Sequence, residues 1–347
     1  ALYRARLSEL RALRLAPKPG WSDACAENLR QNARQDIPVC DLVELRSAAA
    51  DCMGEIDVVE VRRIAGHSAG IWSLDLSADG SLLAIADYGG LTRVWDVRTN
   101  RAECERRDAS VDPARRHTRG APFPAVRFHP DGTQLVYATW RRSAAAFPLR
   151  PDVRPIPTIT SAAEAQYVSF DRTGARMAVG WSDCRSVIYN TQSGKVLREV
   201  RRDPPVPLRR EVVALAPDGE NFATVGPDYS VVLHRVEESP PLVLGRHHGP
   251  ITSLSFSPDG RFLATASEDH TARLFDLVQR KESAVLLGHK ARVQCAAFNG
   301  DGRLLATASD DRSARLWRTE TGEPVMTVRP ELGPLLSVAL SADGQWL

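Results

Sequence analysis

A glycine recurs along this chain at near-constant spacing, and that recurrence restricts the possible folds more than any other feature. It stands at Gly80, Gly132, Gly174, Gly219, Gly260, Gly302 and Gly344, at intervals of 52, 42, 45, 41, 42 and 42 residues. Six of the seven follow Asp; Gly174 follows Thr173. Four residues before each glycine stand Leu76, Phe128, Phe170, Leu215, Phe256, Phe298 and Leu340. Six before stand Leu74, Val126, Val168, Val213, Leu254, Ala296 and Val338, which gives the period of two of a strand with one apolar face. Fifteen residues after the glycine stand Trp95, Phe147, Tyr189, His234, Phe275 and Trp317, all ring side chains. The unit is therefore a strand, an Asp-Gly turn where glycine tolerates positive φ, a second strand, a polar turn, a third strand ending on a ring, and a fourth. Phe256–Asp276 and Phe298–Arg318 are its best-preserved copies. One such sheet cannot bury two apolar faces alone. Copies stacked around an axis bury them against each other, which predicts an all-β propeller.

These residues resemble the WD40 family over roughly residues 58–347. Its signature pairs Gly-His before the first strand with Trp-Asp after the third. Here Gly66-His67 and Gly288-His289 match, as do Trp95-Asp96 and Phe275-Asp276. His67, His247 and His289 all lie thirteen residues before their turn glycine. The resemblance implies a buried hydrogen-bonded chain of His, Ser or Thr, Asp and Trp in each blade. Carried over, the sixth copy has His289, Ser309 (or Thr307 on the same face), Asp311 and Trp317. The fifth has His247, Ser267, Asp269 and Phe275, whose ring has no N–H to donate. The first keeps His67 and Trp95 but has Gly89 in place of Asp. The middle copies have Arg119, Ser161 and Val206 in place of His, and the third and fourth keep Asp183 and Asp228.

Seven copies predict seven blades, the last truncated because three residues follow Gly344. Val58–Ile64 is the candidate outer strand closing the ring, and the natural protein is expected to continue beyond residue 347. Residues 1–57 read differently. Tyr3, Leu7, Leu10 and Leu13 have helical spacing among arginines, and Pro17 and Pro19 end that helix. A second helix is expected from Ser22 to Arg34. A third opens on the Asp41 and Glu44 capping pattern and stops at Gly54. This predicts a helical connector over 1–57; an arginine-rich helix with an apolar stripe also suits a membrane surface. The run from Arg11 to Trp21, followed by residues 41–46, is similar to the connector preceding WD40 repeats in bacterial serine/threonine kinases. That similarity implies a kinase domain in cis, although this chain holds no Gly-rich loop, His-Arg-Asp or Asp-Phe-Gly.

Charge and motifs narrow the chemistry. With 45 basic and 43 acidic residues the net charge is +2, so no global field selects nucleic acid or anionic membrane. No run of about 18 apolar residues spans a membrane. The 6 cysteines show neither C-x-x-C pairing nor zinc spacing, which points to reduced thiols and a cytoplasmic setting. Gly66–Gly70 reads G-x-S-x-G, but an alternating strand follows where a nucleophile elbow needs a helix. Neither a Walker loop nor a dinucleotide fingerprint nor H-E-x-x-H occurs. No catalytic residue, cofactor or metal is expected, since the His and Asp residues repeat once per blade whereas an active site occurs once. A propeller enzyme is the alternative.

The family resemblance places the His-bearing and Asp-bearing turns at one end of the ring, where residues not needed by the fold are free to bind. Eight before each glycine are Trp72, Pro124, Gln166, Glu211, Thr252, Gln294 and Leu336; eight after are Tyr88, Trp140, Ser182, Pro227, Glu268 and Asp310. Trp72, Tyr88 and Trp140 form a candidate aromatic anchor, with Glu268, Gln294 and Asp310 as a polar sector beside it. The expected function is a non-catalytic scaffold that binds a protein or peptide.

Overall fold

The computed structural model describes residues 71–87, 89–107, 125–139, 142–204, 210–329 and 333–341. Six four-stranded antiparallel sheets form within them, each a meander. Blade one holds β1 (Ile71–Leu76), β2 (Leu82–Asp87), β3 (Leu91–Asp96) and β4 (Arg101–Arg107). Blade two holds β5 (Val126–Phe128), β6 (Gln134–Thr139), β7 (Ser143–Pro148) and β8 (Ile159–Thr160). Blade three holds β9 (Ala165–Phe170), β10 (Arg176–Trp181), β11 (Arg185–Asn190) and β12 (Val196–Arg201). Blade four holds β13 (Val213–Leu215), β14 (Asn221–Val225), β15 (Ser230–Arg235) and β16 (Leu242–Arg246). Blade five holds β17 (Ile251–Phe256), β18 (Phe262–Ser267), β19 (Ala272–Asp276) and β20 (Lys281–Leu286). Blade six holds β21 (Val293–Phe298), β22 (Leu304–Ser309), β23 (Ala314–Arg318) and β24 (Pro324–Val328). The described residues contain no helix. The connector expected over 1–57 and the closing strand expected over Val58–Ile64 lie outside them.

The repeat fixes the register. In every sheet the residue four before the turn glycine pairs with the residue three after it, as in Phe298 with Leu305 and Leu76 with Leu83. That second residue pairs in turn with the ring at position fifteen, as in Leu305 with Trp317, Phe222 with His234 and Met177 with Tyr189. The turn glycines adopt φ between 69° and 74°, left-handed values that a side chain disfavours. Each donates its N–H back to the carbonyl three residues earlier, as Gly302 does to Asn299 at 3.1 Å.

Apolar packing joins neighbouring blades. One cluster unites Ile188 of blade three and Phe222 of blade four with Leu254 and Phe275 of blade five. Another unites Leu274 and Leu286 of blade five with Ala296 and Trp317 of blade six. The innermost strands are also clasped by side chains. Asp75 of blade one accepts the Phe128 amide at 2.8 Å, and Ser169 of blade three accepts the Leu215 amide at 3.1 Å.

The blade count is six among the described residues, not the seven that the glycines predict. Residues 333–341 run beside blade six without strand pairing. The Leu335 amide donates to the Ser309 carbonyl at 3.1 Å, and Cys295 Sγ donates to the Val338 carbonyl at 3.7 Å. The seventh copy thus supplies a segment that pairs with no strand among the described residues.

Candidate interaction surface

In a meander the first and third turns lie at one end of the sheet. The second turn and the link to the next blade lie at the other. That second end carries the His and Asp positions. In blade six His289 Nδ1 faces Asp311 Oδ2 at 3.0 Å, and His289 Nε2 faces Thr307 Oγ1 at 2.8 Å. Trp317 Nε1 donates to the same Thr307 Oγ1 at 2.9 Å. In blade five His247 faces Asp269 at 2.9 Å and Thr265 at 2.7 Å, and Phe275 brings no donor. The hydroxyl linked to His is therefore threonine in both blades. Ser309 and Ser267 instead hold the turn: Ser309 Oγ donates to the Ala291 carbonyl at 3.2 Å and accepts the Asp311 amide at 3.1 Å. Ser267 Oγ donates to the Gly249 carbonyl at 3.0 Å and accepts the Asp269 amide at 3.1 Å.

Burial alone would raise the Asp311 carboxyl, but hydrogen bonds from Ser313, the Lys290 amide and His289 outweigh it and hold the group well below the usual range. Asp269 is likewise depressed despite burial, by His247, Thr271 and the His248 amide. Burial lowers His289, with Asp311 opposing.

Of the candidate binding residues, Glu268, Gln294 and Asp310 lie at this end. Gln294 Nε2 reaches both carboxylate oxygens of Asp310 at 3.0 Å, and Arg292 Nε lies 3.7 Å from Glu268. The Trp72 side chain, Tyr88 and Trp140 lie outside the described residues. Three of the positions read as free to bind are committed to neighbouring blades instead. Gln166 accepts the Glu211 amide at 2.6 Å, and Thr252 donates to the Val293 carbonyl at 2.6 Å. The Glu211 carboxylate lies 2.7 Å from Arg202, with both side chains almost wholly buried.

A family model described as "WD domain, G-beta repeat" matches residues 59–96, 239–276 and 280–318. These matches, with the six antiparallel blades of the described residues, make the chain a β-propeller that carries WD40 repeats. It is 24% identical over 287 residues to a guanine nucleotide-binding protein subunit beta of Oryza sativa subsp. japonica, covering 76% of this chain and 72% of that protein. It is 37% identical over 76 residues to COMPASS component SWD1 of Saccharomyces cerevisiae, covering 20% of this chain and 18% of that protein. To Protein hir1 of Emericella nidulans it is 25% identical over 210 residues, covering 59% of this chain and 17% of that protein.

Among the described residues, the other blades keep only part of the relay. In blade four, His234 occupies the ring position, stacks on Phe222 with centroids 4.9 Å apart, and faces Thr224 Oγ1 at 2.8 Å. Burial, with Arg198 nearby, pulls His234 down to about 4. In blade one the hydroxyl position holds Ile85, and the buried Trp95 Nε1 has no partner among the described residues. Asp87, two residues before Gly89, accepts the Gly89 and Leu91 amides at 2.8 and 3.0 Å and so holds that turn. Sequence reasoning missed the Arg202–Glu211 pair, which no repeat position announces. Burial pushes the Glu211 carboxyl up to about 7, with Arg202 opposing. Among the described residues no group of three or more His, Cys, Asp or Glu is placed to hold a metal ion, and no helix is long and apolar enough to cross a membrane.

Proposed function

We propose that this WD40 propeller is a non-catalytic scaffold for a protein or peptide partner, with the contact surface at the His-and-Asp-turn end of blades five and six. The observation that carries the reading is the pairing of Gln294 with Asp310 and of Arg292 with Glu268, on two blades whose His–Asp links are intact. Polar groups held in place before binding lose less freedom on binding. The names of the rice and yeast relatives make each a subunit or component of something larger, and a part of that kind is proposed here. The cysteines, which show neither C-x-x-C pairing nor zinc spacing, support a reducing, cytoplasmic setting. The test is affinity purification with wild type and with the Glu268→Arg/Asp310→Arg variant, each checked for an unchanged melting curve. A partner lost only in the variant supports the surface; the same partners in both reject it.

A second reading rests on residues 11–21 and 41–46 and their similarity to kinase connectors. In it the propeller is the sensory part of a serine/threonine kinase. Full-length protein with no phosphoryl-transfer activity, or with activity indifferent to removal of the propeller, rejects that reading.

A further inference from the structure

At the opposite end, where the Asp-Gly turns lie, the axial channel widens into an open cup of about 760 Å³. That volume falls within the range of about 300–1,000 Å³ typical of ligand clefts. One repeat position builds its wall: Leu76, Phe170, Leu215, Phe256, Phe298 and Leu340 all line it, and all but Leu215 are half-buried. Pro130, Pro217 and Pro258 line its mouth. Deeper in, Arg127 Nη2 donates to Tyr167 Oη at 3.3 Å, and Tyr167 Oη donates to the Leu254 carbonyl at 3.5 Å. That second bond links blade three to blade five, so the Tyr167 ring lies across the channel and gives the cup a floor.

The rim is acidic. Asp79, Asp131, Asp218, Asp259 and Asp301 crown the turns, and all are exposed. Each uses one oxygen to accept a turn amide, as Asp259 does from Arg261 and Asp301 from Arg303, so each carboxylate is fixed in place. The counter-charges at the rim are Arg172, His129 beside Asp131 at 2.7 Å, and Arg303 beside Asp301 at 3.9 Å. Arg176 is matched by Glu220, and Arg261 faces outward to Asp276 and Glu320.

We propose that this cup docks a protein segment in which a bulky apolar side chain is flanked on both sides by Lys or Arg. The apolar side chain enters the cup, and the flanking cations meet the rim aspartates. The combination of apolar centre and acidic periphery selects such a segment over a neutral small molecule, which would leave the rim unused. The site lies at the other end of the ring from the surface proposed above and does not depend on it.

The experiment is fluorescence anisotropy on the full chain with labelled Lys-Lys-Phe-Lys-Lys, alongside Lys-Lys-Ser-Lys-Lys and Glu-Glu-Phe-Glu-Glu. Binding of the first is expected, with at least tenfold weaker binding of both controls. Phe256 and Phe298 also pack against the core, so the variants alter exposed charges instead. Asp259→Lys/Asp301→Lys weakens binding at least fivefold. Arg172→Glu strengthens it severalfold, a gain that a folding defect cannot imitate. Equal binding of the Phe and Ser peptides, or indifference to Arg172→Glu and the Asp reversals, overturns the proposal. So does exclusion of the peptide only where sedimentation shows a dimer, since a second copy then covers the cup.

Discussion

At the scale of single residues, proton bookkeeping orders the blade-six relay. The Trp317 N–H can only donate, so Thr307 Oγ accepts it and gives its own hydrogen to His289 Nε2. His289 is then neutral at Nε2 and carries its hydrogen on Nδ1, facing Asp311. Thr307→Val strands two buried groups, Trp317 Nε1 and His289 Nε2, whereas Thr265→Val strands only His247 Nε2. At roughly 1–3 kcal/mol per stranded group, Thr307→Val is expected to cost about twice as much as Thr265→Val in urea unfolding. Equal losses would mean that Trp317 takes no part in the relay. Two other groups set opposing pH trends. Glu211 titrates near 7 when folded, above its ordinary range, so its contribution is full below about 4.5 and is lost as pH rises through 7. His234, drawn down to about 4, contributes fully above about 6.5 and loses that as pH falls. Thermal melts of wild type and Glu211→Gln from pH 5 to 8 should show wild type losing stability relative to the variant as pH rises through 7. A gap independent of pH would remove Glu211 from the account.

Each second turn repeats a backbone feature that its residue types conceal. Ten residues after the turn glycine, φ is positive in all six blades: Gly90, Arg142, Cys184, Tyr229, His270 and Arg312. Five of the six carry side chains in a conformation that disfavours them by about 1–2 kcal/mol. Arg312 is exposed, so Arg312→Gly is expected to raise stability by about 0.5–1 kcal/mol, and Gly90→Ala to lower it by about 1 kcal/mol, both read from chemical denaturation. Opposite signs would show that side-chain contacts outweigh the backbone there. This turn illustrates what the sequence could and could not disclose. The Asp-Gly turn was legible because glycine marks its left-handed residue, and strand register followed from counting outward. The second turn's left-handed residue carries no common side chain, so no pattern reveals it. Thr307 and Ser309 share a strand face, so periodicity alone could not choose between them as the partner of His289. Glu211 and Arg202 meet across a junction between blades and have no counterparts in other copies. The expected count of seven exceeds the six blades of the described residues because a glycine at the right interval marks a turn but not the strands that follow it.

At the scale of the whole ring, the blades differ in how completely their polar groups are satisfied. Among the described residues, blades five and six keep the His–Asp and His–Thr bonds, blade four keeps only a Thr–His contact, and blade one leaves Trp95 Nε1 without a partner. Satisfied buried networks stiffen their surroundings, whereas unsatisfied groups favour local opening. Hydrogen exchange is expected to be slowest in β18 and β22 and faster in β6 and β10. Greater protection of β6 and β10 would reverse that ranking.

The clasps between inner strands all point one way round the ring. Ser73 and Asp75 reach from blade one to the amides of blade two, and Ser169 reaches from blade three to blade four. Ser253 reaches from blade five to blade six, and Cys295 from blade six to the segment beyond it. A polarised hoop of this kind behaves like a ratchet under load. Tension applied to residues 333–341 strips them off the Cys295 clasp first, leaving blades one, three and five still gripping their successors. The described blades are thus built to come apart from that end, in reverse sequence order.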